Sequence, residues 1–163
     1  HEVTRLPFFA PLAGLSVSKA LEGLGLQAEI KWPNDVLVER RKVCGILTES
    51  TWNGDQPQGV VIGVGVNVAP CSLPPASEVM FPAGCVEQAL GRPLERVELL
   101  AQILAHLFNL RPALASEEFM RDWECRLAFK GEQVRVEPPG KPALVGILAG
   151  IDAEGSLGAV GSR

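Results

Sequence analysis

The stretch Lys31-Trp32-Pro33-Asn34-Asp35, followed by Val36-Leu37-Val38, by Glu39-Arg40-Arg41 and by Lys42-Val43-Cys44-Gly45-Ile46-Leu47, decides how this chain is read. Ile30 and Trp32 share one side of an extended segment. Pro33 has no N–H to donate and a fixed φ, so a strand arriving at Trp32 turns at Pro33-Asn34-Asp35. Val36 to Val38 is β-favouring, Glu39 to Arg41 is a polar turn, and Lys42 to Thr48 returns as a third strand. The fold-back predicts that Lys31 and Lys42 reach one mouth on a rigid β scaffold, where both face an anion. Gly45 weakens its strand unless something lies close over its backbone, and a flat ligand is one candidate.

The 163 residues suffice for one domain with a core plus a small appendage. With 47% hydrophobic and 21% charged residues the composition is that of a folded chain rather than a disordered one. No apolar run reaches the length of a membrane span, so no membrane partner is expected. A net charge of −4 without a basic stripe argues against nucleic acid. Cys44, Cys71, Cys85 and Cys125 have no C-x-x-C spacing, and only His1 and His106 could join them at a metal; they read as reduced thiols of a cytoplasmic protein.

Residues 1 to 10 read as an extended approach or a frayed segment, with prolines at Pro7 and Pro11. A first helix follows on Leu12, Leu15, Ser16, Lys19, Ala20 and Leu24, with Gly23 and Gly25 as stops. It packs on the back of the signature strands. Asn53-Gly54-Asp55 and Pro57 mark a turn into Gln58 to Val68, a run so apolar that it predicts a central strand covered on both faces. Residues 69 to 83, with four prolines, form a loop. Val86 to Leu90 is a short helix closed by Gly91. Leu94 to Leu114 is the longest helix, with Val97, Leu100, Ala101, Leu104, Leu107, Phe108 and Leu110 on one side. Ser116 caps a further helix through Trp123 and Leu127. From Lys130 a β meander is expected, with turns at Glu137-Pro138-Pro139-Gly140 and Asp152-Ala153-Glu154-Gly155.

The K-W-P-N-D stretch, the K-x-x-G-I-L segment and the glycine-containing run Val60 to Val68 stand in the order and spacing of the biotin protein ligases, and the chain resembles that family over nearly its whole length. The resemblance implies an α+β fold, a mixed sheet with packed helices of the biotin/lipoate ligase and class II synthetase kind. Gly150-Ile151-Asp152-Ala153-Glu154-Gly155 resembles a turn of the family's SH3-like carboxy-terminal barrel. The expected organisation is a catalytic domain over residues 1–129 and an SH3-like domain over 130–163. Both are expected to be incomplete, because the family's upstream G-R-G-R-x-G loop and its last strands are not in this sequence. Activity of these 163 residues alone is therefore not implied.

The resemblance implies an ATP-dependent ligase that activates biotin as biotinyl-5′-AMP and passes it to a lysine of a biotin carboxyl carrier protein, the acetyl-CoA carboxylase subunit. ATP and Mg²⁺ would serve it, and a homodimer through a sheet edge is an arrangement the family allows. Lys42, Lys31 and Asp35 would be catalytic. Lys42, Gly45, Ile46, Gly63 and Gly65 would line the biotin site, and Lys31, Trp32, Asn34 and Asn67 would meet the nucleotide. Asp35 has two readings, a contact to Mg²⁺ and an acceptor for the incoming lysine. Simpler readings stand beside these. Asn34-Asp35 alone is a turn, Gly63 and Gly65 alone allow close sheet packing, Asn67 alone bonds backbone, Trp32 alone is packed core, and a lone lysine is a solvated one. A binding module without catalysis, or a lipoate ligase, are the other functional readings.

Overall fold

The turn at Pro33 forms as expected, after a cis Trp32–Pro33 peptide. In the computed structural model, which describes residues 3–75, 77, 79, 81–137, 140, 142–152 and 154–161, it joins strands β1 (Ala28–Lys31) and β2 (Asp35–Val38). β3 (Arg41–Asn53) and β4 (Gln56–Val66) complete a sheet in the order β1-β2-β3-β4. All four strands pair antiparallel. The mixed character expected of the sheet is confined, among the described residues, to two isolated parallel bridges, Ile30 to Leu127 and Lys42 to Ala83. Glu39 and Arg40 form the β2–β3 corner with φ of 52° and 60°. Two successive positive φ values are what a two-residue hairpin turn needs to match strand twist.

Helix α1 (Phe9–Gly23) is preceded by a 3₁₀ turn over Val3–Phe8, so the extended approach expected for residues 1 to 10 is helical where it is described. Pro7 and Pro11 do not prevent this, because amides in a leading turn have no helical acceptor to lose. The body of α1 is buried on every side, from Leu12 to Ser18. Its two buried hydroxyls bond back along the helix, Ser16 Oγ to Leu12 O (2.7 Å) and Ser18 Oγ to Gly14 O (2.9 Å). Ile46 and Ile30 of the sheet approach Gly14 closely.

Short helix α2 (Val86–Leu90) ends at Gly91 in the left-handed region (φ 68°), as expected. α3 (Arg96–Leu110) buries Leu99 and Ile103, whereas Val97, Leu100, Leu104 and Phe108, grouped on one side by their spacing, are exposed. The apolar residues of α3 are spread too widely round the helix for spacing alone to choose the buried stripe. α4 (Glu117–Glu124) opens with Ser116 Oγ accepting from Phe119 N and buries Phe119 and Trp123.

β4 departs most from expectation. It is an edge strand among the described residues, and its burial alternates rather than being complete. Ile62, Val64 and Val66 face the helices while Val61, Gly63 and Gly65 face outward. Glycines within an apolar run hid a period of two, because they count as apolar yet have no side chain to bury.

A second sheet follows, β5 (Gln133–Val136), β6 (Leu144–Ile151) and β7 (Leu157–Gly161), antiparallel in that order. The meander is as expected. The barrel is not: the described residues form three strands without closure. Pro138, Pro139 and Ala153 of the expected turns lie outside the described residues. Leu148 of β6 is buried in one cluster with Leu12, Leu15, Ile30, Phe119 and Trp123, which ties the two sheets together.

Candidate active site

Across the outer face of the first sheet runs one lateral row. Lys31 pairs with Asp35, Asp35 with Gly45, and Gly45 with Gly65. Leu47 and Gly63 pair in the next row on the same face. The floor is therefore nearly free of side chains, with Lys31, Asp35 and Lys42 at one end and exposed Leu47 and Val61 along it.

The two lysines meet as the fold-back implied, on one carboxylate. Lys31 Nζ lies 3.2 Å from Asp35 Oδ2 and Lys42 Nζ 2.5 Å from Asp35 Oδ1. Asp35 is buried, while the lysine side chains keep 31% and 39% of their exposure. Two cations and one anion leave a net positive end on an open face, which suits an incoming anion. With both oxygens taken by ammonium groups, Asp35 is a poor first ligand for a divalent cation, and no group of three His, Cys, Asp or Glu gathers among the described residues.

A β-bulge aims Lys42. The β2–β3 register shifts between Val36 and Leu37, so that Leu37 pairs with Lys42 but Val36 with Cys44. The extra residue, Val43, and Cys44 are both buried on the helix side. Without the bulge, Lys42 and Gly45 would fall on opposite faces; with it they share the outer one. Cys44 lies below the row. Burial and then the charge of Asp35 push its thiol up to about 12, against the opposing charge of Lys42.

The remaining expected site residues are placed as follows. Ile46 turns to the helix side, nearly fully buried; its backbone is clasped by Asn34, whose Nδ2 donates to Ile46 O (2.7 Å) and whose carbonyl accepts from Ile46 N (2.9 Å). Trp32 Nε1 donates to Gly155 O (3.0 Å) in the turn before β7. Asn67 Nδ2 donates to Gly84 O (3.1 Å) and Lys42 O (3.4 Å). The donors of Asn34, Trp32 and Asn67 are thus engaged within the protein.

Sequence reasoning missed the returning end of the proline-rich loop. Lys42 N donates to Pro82 O (2.8 Å) and Gly84 N to Lys42 O (2.9 Å). Lys31 Nζ stands 5.4 Å from the Phe81 ring centre, and Phe81 meets Phe129 edge to face at 6.1 Å. Gly84 was the available signal: a Cβ there would stand 2.8 Å from Arg41 Cβ, so a strand must pass close by.

Residues 2–67 match the model of the biotin/lipoate A/B protein ligase family. The biotin–[acetyl-CoA-carboxylase] ligase of Paracoccus denitrificans is 34% identical over 159 residues, covering 94% of this chain and 65% of that protein. A biotin protein ligase structure from Aquifex aeolicus superposes with a TM-score of 0.80 at 28% identity, covering 96% of this chain and 68% of that one. In both sequence and fold the chain is similar to the biotin protein ligases. Another Aquifex aeolicus ligase structure, in complex with biotin and ATP, matches with a TM-score of 0.74 at 30% identity, over 92% of this chain and 63% of that one. The chain spans between 31% and 65% of the length of the curated relatives it matches. Within this fold, the outer row is the place where two cations converge beside an open, side-chain-poor sheet face.

Proposed function

We propose that the protein is an ATP-dependent biotin ligase, with the observation that carries the reading being the convergence of Lys31 and Lys42 on Asp35 above a glycine floor. A biotin carboxylate oxygen attacks the α-phosphorus of ATP, the bond to the leaving oxygen breaks, and biotinyl-5′-AMP and pyrophosphate result. A neutral lysine amine of a biotin carboxyl carrier protein then attacks the acyl carbon, forming the amide and releasing AMP. The first step brings two anions together. At about 4 Å and an effective dielectric near 20, unit like charges repel by roughly 4 kcal/mol. Lys42, with Lys31 beside it, offsets that repulsion and stabilises charge developing at phosphorus.

Asp35 holds both ammonium groups apart from one another and turned to the trough. In the second step it is the nearest acceptor for a proton or hydrogen bond of the incoming amine, which at neutral pH must lose a proton at a cost of roughly 4.6 kcal/mol, about 1.36 per unit below pKa 10.4. Mg²⁺ is read as the companion of the nucleotide phosphates rather than a ligand of Asp35. Gly45, Gly63 and Gly65 are read as the floor over which biotin lies.

Residues 130–163 are read as part of an SH3-like unit following a catalytic unit over 1–129. The Asp152 turn supports this, with Oδ1 accepting from Glu154 N and Ser156 N, both at 2.9 Å. Free thiols at Cys44, Cys71, Cys85 and Cys125 favour a cytoplasmic setting, and no helix among the described residues is long and apolar enough to cross a membrane. We assign a homodimer contact to the edge of β4, which is unpaired among the described residues.

The test is biotin- and ATP-dependent pyrophosphate release, followed by transfer to a carrier domain. Lys42→Ala is expected to lower adenylate formation by roughly 10²- to 10³-fold, and Lys42→Arg not to restore it, since a planar fork does not replace a point charge. Undiminished turnover in Lys42→Ala, or a preference for lipoate over biotin in competition, would overturn the reading.

A further inference from the structure

Lys42 is fixed at both ends. Its backbone is held by Pro82 O, Gly84 N and Asn67 Nδ2, and its ammonium ends against Asp35. Between these ends the side chain crosses Gly45. A Cβ built on Gly45 would stand 3.2 Å from both Cε and Nζ of Lys42, and 3.8 Å from Asp35 Oδ1. The same construction on Gly65, next in the row, meets only Gly45 O at 3.8 Å, and on Gly63 only Leu47 atoms at 3.6 Å and beyond. Of the three floor glycines, Gly45 is the one where a side chain of the protein lies closer than an ordinary van der Waals contact to the position a Cβ would take.

We infer that Gly45 is a positioning residue acting through Lys42: with the bulge at Val43, its missing side chain is a seat that holds the ammonium flat across β3, against Asp35. This rests on the reading of Lys42 as the group that meets the reacting carboxylate and phosphate. It differs from that reading in what Gly45 contributes. A floor glycine serves the ligand by leaving it room; a seat glycine serves the lysine, and the ligand only through it. A methyl here meets the far end of a flexible side chain, so Gly45→Ala folds and relieves the contact by lifting the amine.

Two experiments decide it. In ligand-free protein, the rate at which Lys42 is reductively methylated by formaldehyde is measured by peptide mass spectrometry. Gly45→Ala is expected to raise that rate several-fold, and Gly45→Ser to do so as well, while Gly65→Ala leaves it unchanged. An unchanged rate in the Gly45 variants overturns the inference, whether or not the protein forms adenylate. The second is a double-mutant cycle on adenylate formation from biotin and ATP. Gly45→Ala alone is expected to cost several-fold through misplacement of the amine, and to cost nothing further in a Lys42→Ala background. Additive losses would mean that the methyl obstructs the ligand directly, and the seat would be discarded. Failure of the wild type to form adenylate would sink the proposed function and leave the methylation result standing.

Discussion

At the residue scale, Cys44 shows how tightly the outer row is backed by core. Its side chain is 1% exposed beneath Asp35 and Lys42. Burial raises the thiol from its ordinary 9.0 to about 12. The neutral thiol is thus favoured by folding. Below pH 9.0 its contribution to stability is fully present; between 9.0 and about 12 the unfolded chain releases a proton that the folded one keeps, so stability falls as pH rises. Urea midpoints measured across that window should decline more steeply for the wild type than for Cys44→Ala, and equal slopes would refute the assignment. At mildly alkaline pH iodoacetamide should label exposed Cys71 and Cys125 and spare Cys44.

At the scale of elements, α4 is too short to be stable by itself and depends on what holds it. Ser116 caps it, Phe119 and Trp123 anchor it, and an ionic cluster ties its end to α1. Arg126 forks onto Glu22, Nε to Oε1 at 2.7 Å and Nη2 to Oε2 at 2.8 Å, and also pairs with Asp122, which Lys19 meets at 2.8 Å. Burial pushes the Asp122 carboxyl up, but hydrogen bonds from Lys19 and Arg126 outweigh it and hold the group below its ordinary 3.8. The sign follows: the stabilisation is present above pH 3.8 and is lost as pH falls through the lowered value. Arg126→Ala strips the fork from half-buried Glu22, and a loss of about 1–3 kcal/mol is expected by chemical denaturation. The variant should also show a shallower loss of stability in acid than the wild type. A change under about 0.5 kcal/mol, the range of ordinary surface substitutions, would place this cluster among decorative surface pairs.

The whole molecule is held together where the two sheets meet. Leu148 of β6 is buried among α1, β1 and α4 residues, and Trp32, at the turn after β1, bonds Gly155 before β7. Arg40 adds a salt bridge to Glu132 (2.7 Å) and lies over the Phe129 ring at 4.6 Å. A sheet of three strands has little core of its own, so the second sheet borrows that of the first. Leu148→Ala should cost about 2–4 kcal/mol and lower a single calorimetric transition rather than split it. Two separated transitions would show that the sheets unfold independently. Because Phe129 also touches Phe81, which stands beside Lys31, the junction and the candidate site share one packed edge.

The amino-acid sequence by itself determined the local elements: the Pro33 corner, the Glu39-Arg40 turn, the Ser116 cap, the Gly91 stop and the meander after Lys130. It also brought Lys31, Lys42 and Asp35 forward as a group. These are properties of neighbours along the chain, set by turn chemistry, capping and propensity. Only the tertiary structure decided which way the residues face. Strict alternation from Gly45 would send Lys42 toward the helices; a single bulged residue, visible only in the pairing of β3 with β2, sends it to the open face. The same holds for Ile46 turned inward, for Asn67 bonded to the backbone that carries Lys42, and for the half-exposed β4. Register and facing depend on hydrogen bonds to a partner strand and on what packs against each side, and neither is written in any local run of residues.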